Sequence, residues 1–547
     1  MNALNFVLLI LYAAFALLAA VQRKPPAVAS AGRSRNAYRL AVFICFAIGV
    51  FLRVWRFGAV PGGFNQDGAM AAVDGNALAA YGTDRFGTWL PCHLTAWGFG
   101  QMSSLLSYLI AANVRLFGLS PVTARLPQLL ASLGGGVFFF LFVRDSFGPR
   151  AGLLAAALAA INPWHLLQSR WALDCNLLPH FFIAALYCLE RGMAGKKMAL
   201  YLSMVFFGLC MYCYGVTVYT VPPLLLVLCV CLIRKKAVTV REALGCAGVY
   251  LLIAWPFLLT MAVNAFGWET ITLPFVTIQR FPTSVRSGDI LFFSPHPGQQ
   301  LLSNARSLFR VVVLQKKDLP WNDMEGFGTA YLFTLPLALC GLWALFQAKG
   351  NGKVLTLSAL GAAVFSGLVT NSVNVNRINL IFYFVILLDA LGLEWIGSRV
   401  RVSRPVFALA FAGMAALMAF TYFGSYADSI RHQFFWGFGE ALTAAEEEGC
   451  DRIYITSNTQ YPGSRNVSEI LTLFYDGTDA LYFQGKTDVN KGSRFLSYSQ
   501  RFLYFSDASD VCGDKAAYVL RREEAGAFSE AYVITDYGDY CLALPKE

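Results

Sequence analysis

The sequence predicts a polytopic α-helical membrane protein with about 11 core spans plus one N-terminal span, followed by a small C-terminal α/β or α+β extracytoplasmic domain. The first observation is composition, because 57% of the 547 residues are hydrophobic and only 14% are charged, against about 25% charged in soluble domains. The second is a series of apolar runs about as long as a membrane helix requires. The third is a change to a mixed pattern over residues 425–547.

The predicted spans follow the apolar runs. They lie at residues 3–22, 38–57, 124–143, 150–168, 177–191, 198–214, 216–233, 243–264, 328–347, 353–371, 377–396 and 405–424. No basic region precedes the first run and no small-residue cleavage site precedes Arg23, so we interpret it as an additional span and not as a signal peptide. The predicted units are therefore residues 1–37, the membrane domain 38–424 and the outer domain 425–547.

The orientation of the spans follows from the positive-inside rule. The loop 23–39 carries five basic residues and no acid, which predicts a cytoplasmic location. Alternation from this loop places further basic loops on the same side, at residues 144–150, 190–197, 234–241, 349–353 and 399–404. The opposite side then receives 58–123, 165–176, 266–327, 370–376 and the tail. The apolar run 103–117 is interpreted as a helix along the outer surface, since counting it as a span would send the later basic loops outside.

The tail has the patterns of a small mixed domain. DRIYITS and AAYVLRR are typical of strands, VSEILTLFY of a short amphipathic helix, and AYVITDYGDYCLALP of strands broken at Gly538. Cys512 and Cys541 are candidates for pairing, which sequence alone does not decide. The net charge of +10 is divided among short loop clusters, and no basic stripe with interleaved aromatic residues favours nucleic-acid binding.

Two carboxylates stand where the chain leaves the second predicted span. In GGFNQDGAMAAVDG, residues 62–75, Asp67 and Asp74 are seven positions apart. At 100° per residue this spacing comes within about 20° of two full turns, so both acids share one face of a helix. The alternative interpretation is an ordinary acid pair at the start of an interfacial helix.

Polar residues also cluster in PWHLLQSRWALDCNLLP, residues 163–179, which contains His165, Arg170, Asp174 and Asn176 between two apolar spans. Polar groups at membrane depth are costly and usually line a cavity. The alternative is an interfacial belt of tryptophans with a snorkelling arginine.

A third candidate is Arg377 in NSVNVNRINL, which begins a span on the outer side. An outward arginine among asparagines is suited to a phosphate group; the alternative is again a snorkelling side chain. The long outer loop 266–327 adds further charged residues, among them Glu269, and loops of this length are usually functional or mobile.

Together these residues resemble the GT-C superfamily of integral-membrane glycosyltransferases, in the branch of bacterial protein O-mannosyltransferases and aminoarabinose transferases. The resemblance covers roughly residues 38–400 and rests on Gln66-Asp67-Gly68 and on Arg377. It also rests on TWLPCHLTAWGFGQ, LFGLSPVTARLPQLL, and RDSFGPRAGLLAAALAAINPWH followed by SRWALDCNLLP. It implies a multi-pass cell-membrane enzyme with an extracytoplasmic active site.

The implied reaction moves a sugar, with inversion, from a polyprenyl-phosphate-linked donor to an acceptor hydroxyl on a lipid, glycan or protein. The implied roles are a general base at Asp67 and phosphate ligands at Arg377 and Arg170. Asp74 and Asp174 are further candidates for catalysis, and His165, Asn176 and Glu269 for substrate binding. Asp174 and His165 could orient the sugar or hold a divalent cation, which some relatives use.

One position departs from the family pattern, because Gly68 stands where the usual acidic partner of Asp67 is expected. Three explanations stay open: Asp67 acts alone, Asp74 or Asp174 supplies the second carboxylate, or activity has been lost. A transporter or flippase for a lipid-linked sugar is the alternative function. It would bind the same phosphate without chemistry and would be expected to show inverted repeats, for which the sequence has no visible sign.

Overall fold

The computed structural model describes residues 1–22, 35–98, 100–282, 289–316, 318–460, 463–486, 496–513, 516–528 and 531–546. Its helices are α1 (Asn2–Val21), α2 (Arg35–Val54), α3 (Gln66–Tyr81), α4 (Leu105–Phe117), α5 (Pro121–Phe147), α6 (Pro149–Ile161), α7 (Pro163–Gln168), α8 (Leu178–Met193), α9 (Lys197–Cys210), α10 (Val221–Arg234), α11 (Val240–Phe266), α12 (Pro297–Leu308), α13 (Leu335–Gln347), α14 (Asn351–Val369), α15 (Phe382–Arg399), α16 (Ser403–Thr421), α17 (Ala427–Ile430), α18 (Phe438–Glu447), α19 (Arg465–Tyr475), α20 (Ala480–Phe483) and α21 (Tyr498–Arg501).

The strands are short and fall mainly in the tail. They are β1 (His93–Thr95), β2 (Gln101–Ser103), β3 (Ile271–Leu273), β4 (Val276–Ile278), β5 (Ile453–Thr456), β6 (Phe502–Phe505), β7 (Ala517–Arg521), β8 (Tyr532–Asp536) and β9 (Tyr540–Pro545). The pairs β1–β2 and β3–β4 are antiparallel hairpins within the two long outer segments.

Every predicted span falls on a helix. In the described part of the chain, eight helical stretches are long and apolar enough to cross a membrane, at residues 2–21, 35–54, 121–147, 215–234, 240–266, 351–369, 379–399 and 403–434. The other predicted spans are the shorter helices α6, α8, α9 and α13. The predicted span 150–168 is broken at Pro163, because Asn162 caps a new helix there by accepting a hydrogen bond from the His165 backbone N–H.

The apolar run predicted to lie along the surface forms α4, a helix of 13 residues. At 1.5 Å per residue it is about 20 Å long, shorter than the hydrocarbon core of roughly 30 Å. It packs closely on α3, where a Cβ on Gly75 would lie 3.0 Å from the Ser107 carbonyl oxygen. Arg115 also donates to the Ala79 carbonyl at 3.0 Å. The two helices therefore pack against each other between the spans α2 and α5.

The basic loops among the described residues gather at one end of the helices, as the charge pattern predicts, while residues 23–34 of the loop 23–39 lie outside the described part of the chain. Ser146 donates to Glu190 at 2.6 Å, which joins the loop after α5 to the end of α8. Lys197 pairs with Glu242, which joins the start of α9 to the start of α11. The segments predicted for the opposite side meet at the other end, around the cavity described below.

The tail is a five-stranded sheet with the order β6-β5-β7-β9-β8. The central strand β5 runs parallel to β6 and β7, whereas β7–β9 and β8–β9 are antiparallel. The predicted strands and amphipathic helix correspond to β5, β7, β8, β9 and α19; β6 was not predicted. The thiols of Cys512 and Cys541 are both free, so the candidate disulfide is absent between them.

The tail does not stand apart from the membrane helices. The Phe64 ring stacks on Phe474 of α19 with centroids 4.4 Å apart, and the Tyr81 hydroxyl donates to Asp479 at 2.5 Å. The Phe64 backbone N–H donates to the Phe434 carbonyl at 2.8 Å. The sheet domain is therefore docked on α3, the helix that begins at the candidate catalytic acid.

Candidate active site

A small cavity of about 40 Å³ lies where the predicted outer segments meet. It has room for about three water molecules. Its walls come from the start of α3, the segment after α7, the loop before α13, the segment before α15, the segment before α18 and the loop after β5. The lining residues are Asn65, Gln66, Asp67, Trp171, Trp321, Asn376, Gln433, Phe434 and Gln460.

Asp67 is the one acid that lines this cavity, and its position is set by the first turn of α3. The Asn65 side chain caps the helix by accepting the Gly68 N–H at 2.9 Å. A carboxylate in the first turn also interacts favourably with the helix dipole. The Trp97 indole N–H donates to Asp67 Oδ1 at 2.6 Å, so the carboxylate is oriented from two sides. Trp97 belongs to the quoted stretch TWLPCHLTAWGFGQ.

Two buried arginines anchor the chain that leads into Asp67. Arg170 directs all five N–H groups at backbone carbonyls at the end of α2 and just beyond, at 2.7–3.2 Å. Helix C-termini leave such carbonyls unsatisfied, and the fork of the guanidinium satisfies several at once. The predicted phosphate-binding role of Arg170 therefore does not fit, because the side chain is 0% exposed and its donors are engaged.

Arg125 anchors the next few residues in the same way. It donates to the carbonyls of Gly58 at 2.8 Å, Pro61 at 3.0 Å and Gly63 at 2.6 Å. Gly63 has a positive φ of 74°, and a Cβ there would lie 2.1 Å from the Phe434 carbonyl oxygen. Only glycine permits this approach, which brings the roof of the cavity against the loop before Asp67.

His165 lies in a separate polar network between helices. Arg53 Nη2 approaches His165 Nδ1 at 2.7 Å, and the other ring nitrogen meets the Tyr383 hydroxyl at 2.9 Å. That hydroxyl also lies 2.9 Å from His180 Nδ1. Because Arg53 can only donate, the His165 proton sits on Nε2. All four side chains are buried, and the predicted substrate-binding role of His165 does not fit this location.

Asp174 and Asn176 lie beneath the cavity and do not line it. Asp174 Oδ1 accepts the Cys175 N–H at 2.7 Å, and Asn176 Oδ1 accepts from Asn379 at 2.9 Å. Burial, followed by the fields of Asp174 and Asp67, raises the pKa of the Cys175 thiol well above its usual value. The two acids therefore flank the same thiol, but the structure gives Asn176 a place in the packing and not a surface that faces the cavity.

Asp74 shares a face of α3 with Asp67, but seven residues along a helix correspond to about 10.5 Å. It is 0% exposed and forms an ion pair with Arg85 at 2.6 Å, while the Arg85 backbone N–H donates to its other oxygen at 3.1 Å. Burial raises the pKa of the Asp74 carboxyl to about 6, although Arg85 lowers it in part. This pair joins α3 to the outer loop, and the role of second catalytic acid does not fit it.

Asp74→Asn is expected to lower the free energy of unfolding by about 3–5 kcal/mol, because it leaves the Arg85 guanidinium buried without its countercharge. Thermal unfolding of the detergent-solubilised protein measures this loss. Asp428→Asn is the control, since Asp428 is 72% exposed in a 3.7 Å pair with Arg431 and is expected to change stability by less than about 1 kcal/mol. Equal effects of the two substitutions would contradict a structural role for Asp74.

Arg377 and Glu269 lie outside the cavity wall. Arg377 pairs with Asp289 at 2.9 Å and donates to the Asn371 carbonyl at 2.6 Å, and its chain neighbour Asn376 lines the cavity. Glu269 is 91% exposed and pairs with Arg280 at 3.3 Å beside the β3–β4 hairpin. Arg377 thus directly follows a residue of the cavity wall in the chain, whereas Glu269 belongs to the protein surface.

The donor atoms present do not form a ready site for the divalent cation that the resemblance allows. Among the described residues, no group of three or more His, Cys, Asp and Glu side chains is placed to hold a metal ion. Of the residues that the structure describes, Asp67 is the only carboxylate that lines the cavity. No step of the proposed reaction is therefore assigned to a metal.

Gly68 has a steric reason to be glycine. A Cβ at this position would lie 2.8 Å from Asn65 Oδ1 and 2.9 Å from the Ala172 carbonyl oxygen. Contacts this short require the backbone or the helix cap to shift. The space that a second acid would enter is filled by the chain that follows Trp171, a residue of the cavity wall.

Sequence reasoning missed most of the wall. Trp321, Asn376, Gln433, Phe434 and Gln460 come from separate segments, and amide or aromatic residues in loops carry no pattern of their own. The signal for Trp97 was present in the quoted aromatic stretch, but its partner could be identified only from the geometry.

Residues 103–259 match the family model described as dolichyl-phosphate-mannose-protein mannosyltransferase. The structure of ArnT from Cupriavidus metallidurans bound to undecaprenyl phosphate superposes with a TM-score of 0.54 at 13% identity, covering 93% of this chain and 98% of that chain. The structure of the same protein in the apo state superposes with a TM-score of 0.53 at 13% identity, covering 92% of this chain and 97% of that chain. Among curated protein sequences, none matches this chain.

At 13% identity the likeness to ArnT is one of fold. The architecture is that of a GT-C integral-membrane glycosyltransferase, with membrane helices followed by a small sheet domain. The match to the mannosyltransferase model covers residues 103–259, less than half of the chain, and is a second similarity to membrane glycosyltransferases.

Proposed function

We propose that this protein transfers a sugar from a polyprenyl-phosphate-linked donor to an acceptor hydroxyl at the extracytoplasmic face of the membrane, with inversion at the anomeric carbon. The observation that carries the proposal is Asp67, held by Trp97 and the α3 cap in a cavity of amide and aromatic side chains. Such walls suit a sugar, because amides both donate to and accept from hydroxyl groups and aromatic rings cover its apolar face.

In this mechanism Asp67 is the general base. It removes the proton of the acceptor hydroxyl as the acceptor oxygen bonds to the anomeric carbon. The bond from that carbon to the phosphate oxygen breaks on the opposite side of the ring, and the polyprenyl phosphate leaves with the bonding electrons. The products are an inverted glycoside, the lipid phosphate and a protonated Asp67, which then releases its proton to solvent.

The leaving phosphate needs a cationic partner, and we propose Arg377 for this role. Arg377 directly follows Asn376, a residue of the cavity wall, in the chain. Its ion pair with Asp289 is partly exposed, since the Asp289 side chain is 37% accessible. A phosphate group can therefore replace Asp289 as the partner of Arg377 with little change in burial. Arginine also offers the planar fork that suits phosphate oxygens.

The sidedness of the reaction is inferred from charge. The basic loops meet at the end of the helices remote from Asp67, and the positive-inside rule assigns such an end to the cytoplasm. The cavity and the tail domain then face the extracytoplasmic side. A lipid-linked donor reaches such a site from the membrane, whereas the acceptor arrives from the aqueous side as a lipid, glycan or protein hydroxyl.

The test is transfer by the purified protein in lipid vesicles, with undecaprenyl phosphate carrying a radiolabelled sugar. Mannose is the first sugar to test, because the matched family model is that of mannosyltransferases. We expect label to move from the lipid to a cell-envelope acceptor, with loss of this transfer in Asp67→Asn. Label that crosses the vesicle membrane while it stays on its lipid would favour the transporter instead.

A further inference from the structure

Two tryptophans in the cavity wall hold hydrogen-bond donors without acceptors. Trp171 and Trp321 pack edge to face, with ring centroids 6.4 Å apart at 68°, and Trp171 packs at 85° on Phe434. Among the described residues, neither indole Nε1 has a hydrogen-bond partner, although both atoms are buried. Trp171 itself is 3% exposed. Buried donors are nearly always satisfied, so a pair of them in one cavity indicates a ligand that supplies acceptors.

The charge of the cavity restricts that ligand. Of the nine lining residues, Asp67 is the only charged one and five are amides. The Oδ1 atom of Asn376 is a buried acceptor without a donor among the described residues. Three of the lining residues thus hold a buried polar atom without a partner among the described residues, namely two N–H donors and one carbonyl acceptor, beside one carboxylate. This set of groups matches hydroxyl groups.

From these observations we infer that Trp171 and Trp321 bind hydroxyl oxygens on one edge of an uncharged sugar, and that they determine which donor sugars the enzyme accepts. This inference rests on the proposed function, since it names the substrate class of the same site. The cavity of about 40 Å³ is large enough for hydroxyl groups at a ring edge, while the remainder of the ring lies outside it.

The same wall disfavours charged sugars, for two reasons. A sugar carboxylate or phosphate would place an anion near Asp67, and no Lys, Arg or His among the described residues lines the cavity to compensate. A sugar ammonium group would pair with Asp67 and occupy the oxygen that must take the acceptor proton. An uncharged hexose leaves Asp67 free and supplies oxygens to both indole N–H groups.

Trp171→Phe and Trp321→Phe keep an aromatic ring but remove the donor. With undecaprenyl phosphate-linked mannose we expect each variant to raise KM about 3- to 10-fold, as the loss of one neutral hydrogen bond implies, with kcat nearly retained. Trp395→Phe is the matched control, because its buried Nε1 also lacks a partner among the described residues but lies on α15, outside the cavity wall. We expect its KM to stay at the wild-type value.

The donor series tests the charge argument. Lipid phosphates carrying mannose, a hexuronate and an amino sugar are compared with the wild type, and the mannose donor is expected to have the highest kcat/KM by at least 10-fold. Equal use of the hexuronate or amino-sugar donor would overturn the inference, as would unchanged KM values in both tryptophan variants.

Binding is read separately from turnover, by ¹⁹F NMR of protein labelled with 5-fluorotryptophan. We expect the mannose donor to shift the resonances of Trp171 and Trp321 and to leave that of Trp395 in place. Shifts without transfer would support this subsite and contradict the proposed reaction. Transfer without shifts would support the reaction and overturn the subsite.

Discussion

Asp67→Asn is expected to lower the turnover number for sugar transfer by about 10² to 10⁴, the usual contribution of a positioned general base. Asparagine has nearly the same size and its carbonyl oxygen can still accept the Trp97 N–H, which lies 2.6 Å from Asp67 Oδ1. It cannot take the acceptor proton, so binding of the donor should persist. Single-turnover measurements with a radiolabelled lipid donor separate the chemical step from binding.

Glu269→Gln is the matched control for this experiment. It also neutralises one carboxylate in a segment predicted for the outer side, but Glu269 is 91% exposed in its pair with Arg280 and does not line the cavity. Its turnover number should equal that of the wild type. If Asp67→Asn retained wild-type turnover while the donor was still transferred, Asp67 would not be the base, and Asp174, which flanks the same thiol, would be the next acid to test.

The fold was largely predictable because its signals are local in sequence. A run of about 20 apolar residues and a basic loop can each be recognised without knowledge of any partner. Two predicted spans, 150–168 and 216–233, are interrupted in the structure. In each, a new helix begins with proline in its first turn, at Pro163 of α7 and at the start of α10. The parallel partner β6 was missed because four residues between turns carry too little pattern.

The site was predictable only where a role depends on position in one element. Asp67 was selected because it matches the acid that the resembled family carries in its first outer loop, and the structure places it at the cavity. Arg377 was preferred as the phosphate ligand because it matches a basic residue of the resembled family, and Arg170 was the second choice. The structure distinguishes them by the backbone carbonyls that surround Arg170. Contacts of this kind join segments that are distant in sequence, so they cannot be predicted from a local pattern.

These anchoring residues explain how the geometry of a small cavity is maintained. Arg125 and Arg170 fix the carbonyls between α2 and α3, while Phe434 covers the loop from the tail side. The Asp67 carboxylate is thus positioned from one side by membrane helices and from the other by the C-terminal domain. A change of about 1 Å in such an arrangement can cost roughly 10² in rate, which makes the residue beside Asp67 a sensitive one.

Gly68→Ala is expected to lower turnover by about 10²-fold. Its Cβ would lie within 3.0 Å of Asn65 Oδ1 and of the Ala172 carbonyl oxygen, so either the helix cap or the wall beside Trp171 must move, and Asp67 moves with it. Gly136→Ala is the control, since a Cβ there meets nothing within 4 Å. In a helix interior that change is expected to be neutral or stabilising by up to about 1 kcal/mol.

Gly68→Glu decides between the explanations for the missing second acid. If Gly68 were an inactivating replacement in a site that needs two acids, a glutamate at this position would raise the turnover number. The close approach of the Ala172 carbonyl instead indicates a site rebuilt around a single carboxylate, in which a glutamate side chain must displace the wall and also places a like charge beside Asp67. We therefore expect Gly68→Glu to be less active than Gly68→Ala, measured as kcat with a saturating lipid donor. A gain of activity would show that the cavity tolerates, and uses, the second acid.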